Sequence, residues 1–215
     1  MKRFWWWVAL SATVGTLGCT RVVEEPRPVR AWPVAPITAG QVSDVLSPRA
    51  SREAESNLFS TVAPQRCAGL AREVDPPFLF DIGTVPAAHS AGQWNGANRF
   101  SIQEMAAVYP ANFDAADAVD AVKRTLGDCR DEQLTVVTMQ DETLHFESIP
   151  AAGHASPQIA LWSITSARRS CDNAYIAAHN AAIEITACGD LNGYDVAGLA
   201  DEALDRLNLL ANMTS

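Results

Sequence analysis

Side chains able to do chemistry are few and scattered in this chain. Its four histidines, His89, His145, His154 and His179, stand far apart. His89-Ser90 joins a base to a nucleophile, but neighbours in a Gly-containing stretch do not hold the geometry that nucleophilic catalysis needs. His145 alternates with Leu144 and Phe146, which predicts a solvated strand position. Asp114, Asp117 and Asp120 share one helical strip. Calcium takes ligands converging from a loop, so the strip is expected to be a solvated face favoured by the start-of-helix dipole. Gly-x-Ser-x-Gly, the phosphate-cradling Gly-x(4)-Gly-Lys and His-Glu-x-x-His are all missing from the sequence. No catalytic residue, cofactor or metal ligand is assigned.

Cysteine chemistry is better marked. Cys19 follows Met1-Lys2-Arg3, an apolar run from Phe4 to Val14 and the small-residue stretch Gly15-Thr16-Leu17-Gly18. A basic start, a short apolar core and small residues before a cut are the parts of an export signal. The run is shorter than the roughly 20 residues that span a bilayer. Gly18-Cys19 resembles the end of a bacterial lipobox, with Thr16 and Leu17 departing from its usual residues. The expectation is a signal peptide at 1–18, lipid attachment at Cys19 and location on the outer side of the cell membrane. Pro26, Pro28, Pro33 and Pro36 then make 19–36 an extended spacer of about 3 Å per residue.

Four cysteines remain: Cys67, Cys129, Cys171 and Cys188. In an exported chain an even number points to two disulfides, with three possible pairings. Local register selects one. If His179-Asn180 is a two-residue turn, both being types enriched at positive φ, then counting outward sets Cys171 opposite Cys188. That pair is a non-hydrogen-bonded one, where Cα atoms approach to about 4.5 Å, within disulfide reach. Cys67–Cys129 is left as the second bridge. Loops of these lengths stabilise by roughly 3 and 4 kcal/mol. The same register puts Ala174, Ile176, Ile183 and Ile185 on a core face. Cys171, Asn173, Tyr175, Glu184 and Thr186 lie on the other.

Around these residues, two helices are predicted. One covers 113–126, after Pro110 and Asn112 and stopped by Gly127. The other covers 195–211, with Val196, Leu199, Ala203, Leu207 and Leu210 on one stripe. A shorter helix from Ala39 to Leu46 opens the domain. Strands are expected at 134–139 and 143–149 around Asp141-Glu142, at 158–165, at 100–108 and somewhere within 80–86. This order predicts an α+β fold with a mainly antiparallel central sheet flanked by helices and held by two disulfides, spanning residues 37–215. Hydrophobic residues make up 48% of the 215, enough for a real core. Net charge is −9, and −11 once Lys2 and Arg3 leave with the signal. Such acidity argues against nucleic acid and against electrostatic adhesion to anionic headgroups.

The Cys-bounded hairpin Cys-x-x-Ala-x(4)-His-Asn-Ala-Ala-Ile-Glu-Ile-Thr-Ala-Cys, the helix ending at Cys129 and the closing amphipathic helix together resemble the PknH-like extracellular sensor domain of mycobacteria and relatives. Leu126, three before Cys129, stands where that family pattern has Trp. The resemblance implies a domain with a large cleft for an unidentified ligand, found on a serine/threonine kinase and alone in small lipoproteins. It supplies no catalytic residues. The kinase signatures, a Gly-rich loop, His-Arg-Asp and Asp-Phe-Gly, are missing from this sequence. The expected function is therefore a membrane-anchored sensor that captures a small or envelope ligand, with Asn173, Tyr175, Glu184 and Thr186 lining the cleft or forming a solvated sheet face. The alternative is an interaction module that regulates an envelope enzyme or kinase ectodomain.

Overall fold

The computed structural model describes residues 35–51, 59–150 and 153–213. The expected signal peptide at 1–18, the expected lipid site Cys19 and the expected spacer up to residue 34 lie outside the described residues. Eight strands form one sheet: β1 (Phe59–Ala63), β2 (Ala88–Asn95), β3 (Ser101–Val108), β4 (Gln133–Thr138), β5 (Thr143–Pro150), β6 (Ile159–Thr165), β7 (Ser170–Ala178) and β8 (Ala181–Gly189). Four α-helices accompany them: α1 (Val42–Val45), α2 (Pro77–Phe80), α3 (Ala115–Asp128) and α4 (Val196–Met213). The strand order is β1-β4-β5-β6-β7-β8-β3-β2, and every pairing is antiparallel. The α+β expectation holds.

At the middle of the sheet, β7 and β8 pair with 178 opposite 181 and Cys171 opposite Cys188, the register expected from the turn and the cysteines. The two Cα atoms stand 4.0 Å apart across the disulfide. His179 takes φ 55° at the turn; Asn180 is not at positive φ, so one left-handed residue suffices. The second disulfide joins Cys67 to Cys129, just beyond the C-terminus of α3.

Both faces of the hairpin are buried. On one face Ala174, Ile176, Ile183 and Ile185 pack with Ile102, Ala106, Leu199, Ala203 and Leu207, joining β3, β7 and β8 to α4. Alanines on strand and helix keep the layers close enough for dense contact. On the other face Cys171, Tyr175 and Trp162 join Val119 and Val122 of α3 with Leu70, Phe78 and Leu79.

Those last residues belong to segment 67–80, which covers the sheet. Cys67 ties it to α3, the Trp162 indole N–H donates to the Leu70 carbonyl at 2.7 Å, and the Tyr109 hydroxyl donates to the Leu79 carbonyl at 2.7 Å. Gly69 sits at φ 96° beneath Phe78, where a Cβ would come within 2.8 Å of the ring. Only glycine fits that turn without strain.

Several local expectations change. The strand sought within 80–86 is absent. Pro76-Pro77 instead starts the short α2, proline suiting a first helical turn, and the strand comes later, as the polar edge strand β2. β1 has no counterpart in the sequence reading. Helix α3 begins at Ala115 because the Asp114 carboxylate accepts from the Ala116 and Asp117 amides at 3.0 Å, and it runs through Gly127 to Asp128. Asp114 is therefore a cap, not part of a free acidic strip.

Asn180 has a further role. Its side-chain oxygen accepts from the Ile37 amide at 2.8 Å, while its NH2 donates to the carbonyls of Ile37 at 2.9 Å and Tyr109 at 2.8 Å. The Tyr109 amide in turn donates to the Asn180 carbonyl at 2.8 Å. One buried amide so fastens the start of the domain to the hairpin tip. Asn180→Ala leaves a buried amide and two carbonyls unpaired, which costs about 3 kcal/mol or more. The midpoint of thermal unfolding should fall by about 6–12 °C; a fall under about 2 °C would show that the clamp carries no stability.

Candidate functional site

The polar residues of the hairpin do not form a solvated face. Asn173 and Thr186 are cross-strand partners, as are Tyr175 and Glu184, so the four make one patch on β7 and β8. Asn173, Tyr175 and Glu184 are 0% exposed and Thr186 is 3% exposed. Segment 67–80 and α3 roof them over, which period-two alternation cannot reveal, since a strand covered on both faces can still alternate in polarity. Next to Thr186 on β3 is Gln103, and Arg72 reaches down from the cover to donate from Nη1 to its Oε1 at 3.2 Å.

Most of this layer's polar atoms are unanswered. The Arg72 Nε, Asn173 Oδ1, Tyr175 hydroxyl, both Glu184 oxygens and the Thr186 hydroxyl are buried and have no hydrogen-bond partner among the described residues. Each such group costs about 1–3 kcal/mol, and native interiors hold few of them. Six atoms on one patch make a concentration that packing alone does not explain. The Asn173 amide nitrogen does donate, at 3.2 Å, to the Cys171 carbonyl.

A second buried glutamate shows what an answered one looks like. Glu104, on β3, faces the opposite side of the sheet, toward α1 and α4. It accepts from the Ser47 amide at 2.6 Å and from Arg206 Nη2 at 3.2 Å, while Arg206 Nε donates to the Val45 carbonyl at 3.0 Å. Burial raises its pKa, and Arg206 and the Ser47 amide oppose that rise. Glu184 has only long-range help. Desolvation lifts it to about 8, with Arg72 pulling down and Glu73 pushing up. Arg72 is itself lowered to about 10 by desolvation, with Glu184 and then Glu104 holding its charge. Burial raises Tyr175 well above the usual phenol range.

Elsewhere the chemistry thins out. His89 and Ser90 occupy consecutive positions of β2 and so point to opposite faces. The exposed His145 lies within 3.3 Å of the Thr135 hydroxyl, and His179 Nε2 meets Asn208 Oδ1 at 2.9 Å. Among the described residues no group of three His, Cys, Asp or Glu side chains is placed to hold a metal. Nor is any helix among them long and apolar enough to cross a membrane. Among the described residues a surface pocket of about 410 Å³ lies between α1 and α4, and another of about 560 Å³ lies at the start of α3. Neither is lined by the four hairpin residues; of these, Thr186 borders a narrower crevice beside Arg72. Arg72 was missed in the sequence, where a lone arginine in a Pro- and Gly-containing stretch gives no periodic signal.

A family model described as "PknH-like extracellular domain" matches residues 31–206. The crystal structure of the extracellular domain of PknH from Mycobacterium tuberculosis is similar to this chain, with a TM-score of 0.64 and 18% identity. The match covers 82% of this chain and 99% of that one. At that identity the likeness speaks for the fold. No curated protein matches the chain.

The glutamate gives a pH signature. Glu184 holds its proton in the fold up to about pH 8 but releases it near 4.5 when unfolded. The folded state therefore binds more protons between those values, so this group's contribution to stability falls as pH rises through that window and levels off above it. Glu184→Gln should remove that slope. Relative to the parent, its unfolding midpoint should gain at least about 3 °C between pH 5 and pH 8. An equal slope in both proteins would place the ionisation elsewhere.

Proposed function

Because the chain belongs to the PknH-like extracellular domain family, we propose that it is a lipid-anchored binding module, without catalysis of its own, that senses a small or envelope-derived ligand. Its family is one of extracellular domains, so the folded part lies outside the cytoplasm. Lipid on Cys19 and a spacer of 19–36 would hold residues 37–215 at the outer face of the membrane, with a signal passed on through an envelope protein partner.

One observation carries the binding role: the layer under segment 67–80 holds six buried polar atoms with no partner among the described residues. Groups of that kind are expensive to keep in a fold and are retained where a ligand answers them. Asn173, Tyr175, Glu184 and Thr186, with Arg72, are the residues that would meet it. Access requires the cover to shift, which suits a sensor, because the ligand then favours one arrangement of the cover over another.

A thermal-shift screen of envelope lipids, glycans and small metabolites tests this reading. A true ligand at about a hundredfold excess over its Kd stabilises by about 2.7 kcal/mol, which is about 5–10 °C in a domain of this size. Tyr175→Phe discriminates site from scaffold. Its hydroxyl is buried with no partner among the described residues, so the variant should be at least as stable as the parent, by up to about 1–3 kcal/mol, and lose most of the ligand shift. No stabilisation by any class would sink the binding role. Anchoring is separable: the parent should fractionate with membranes and carry lipid mass on its N-terminal peptide, and Cys19→Ala should lose both.

A further inference from the structure

The layer under segment 67–80 is not uniform. At one end the Tyr175–Glu184 pair lies beneath Phe78, whose ring meets that of Tyr175 at 6.2 Å. At the other end, toward the Cys171–Cys188 bridge, a crevice is lined by Phe59, Arg72, Ser101, Gln103, Arg169, Thr186 and Cys188. Ser101 and Gln103 of β3 pair with Cys188 and Thr186 of β8 and form its floor. Arg72 comes from the cover and Arg169 from the turn between β6 and β7.

This lining contains two guanidinium groups, two hydroxyls and an amide, and no carboxylate. The Gln103 Oε1 is already taken by Arg72 Nη1. The unanswered atoms here, Arg72 Nε and the Thr186 hydroxyl, are a donor and a group that can donate. Among the described residues neither Arg72 nor Arg169 has a carboxylate within salt-bridge distance, whereas Arg49, Arg66, Arg168 and Arg206 each have one. Glu184 and Glu104 act on Arg72 from farther off, as does Glu142 on Arg169. In a chain of net charge −9 this is a local concentration of positive, donor-rich surface.

Resting on the binding reading above, we propose that this crevice is the anion subsite of the ligand, taking a phosphate or carboxylate group between Arg72, Arg169 and the Thr186 hydroxyl. Forked guanidinium groups match the oxygens of such anions. The crevice encloses about 230 Å³ including its mouth and is too narrow to seat a water molecule. Occupation therefore moves the Arg169 side chain, which is half-buried on a surface turn, or the cover at Arg72.

Isothermal titration of the full chain in detergent with inorganic phosphate, at constant ionic strength, reads the subsite directly. A second arm uses the Cys19→Ala chain with vesicles of phosphatidylglycerol against vesicles of phosphatidylcholine, which separates a lipid headgroup from a free anion. Saturable binding in either arm is expected, weakened about tenfold or more by Arg169→Gln and by Thr186→Val. Arg168→Gln removes the same charge one residue away, from an exposed side chain outside the crevice, and should leave affinity within about twofold. Equal loss in Arg168→Gln and Arg169→Gln would reduce the effect to general electrostatics and overturn the subsite. Binding in neither arm would overturn it too; the module reading would survive that result if an uncharged compound from the thermal-shift screen still stabilised the chain, and would fall with it if none did.

Discussion

The register of β7 against β8 governs the rest of the structure. Cys171 opposite Cys188 at one end and the His179-Asn180 turn at the other leave the two strands no freedom to slip. A slip of β8 by one residue would exchange the two faces of that strand. Ile183 and Ile185 would then leave α4, and Glu184 would enter the packed layer between strand and helix. Because β8 also pairs with β3 and β7 with β6, the same register propagates to the whole middle of the sheet. The polar layer exists because this register sets the second face of the hairpin under the cover of segment 67–80 and α3.

How far the sequence reveals this depends on how local the cause is. The hairpin was legible because turn residues, alternation and two cysteines make the same statement within eighteen residues. Helix α4 was legible from one apolar stripe, and β4, β5 and β6 from alternation bounded by turns. Strand β2 was not, since Ala-His-Ser-Ala-Gly-Gln-Trp-Asn has neither alternation nor β-branched residues; it is a strand because β3 offers it a partner. Nor could the fate of the polar face be read. Whether Asn173 and Glu184 meet water depends on segment 67–80, which Cys129, Trp162 and Tyr109 hold from distant parts of the chain. Asn180 illustrates the same limit: its type indicated a turn, while its partners lie 143 and 71 residues away.

Glu104 and Glu184 are two buried carboxylates in contrasting surroundings. They stand on neighbouring strands and face opposite sides of the sheet. The first joins Ser47, Arg206 and α4 in a set where each partner answers another, as a buried charge must be answered to be tolerated. The second has no hydrogen-bond partner among the described residues, while Arg72 spends one of its bonds on Gln103. The same sheet thus carries one buried carboxylate whose oxygens are both answered and one whose oxygens, among the described residues, are not.

The Asn180 clamp also has a mechanical meaning. Ile37 is held at the loop end of the β7–β8 pair, with the disulfide closing the far end. A pull on Ile37 from the N-terminal side would load its two bonds to the Asn180 side chain, while the third bond of that amide ties Tyr109 to the same turn. The covalent bridge at the opposite end stops a peeling force from unzipping the pair completely. The crevice beside Arg72 lies at the bridged end of the pair, the far end from that clamp.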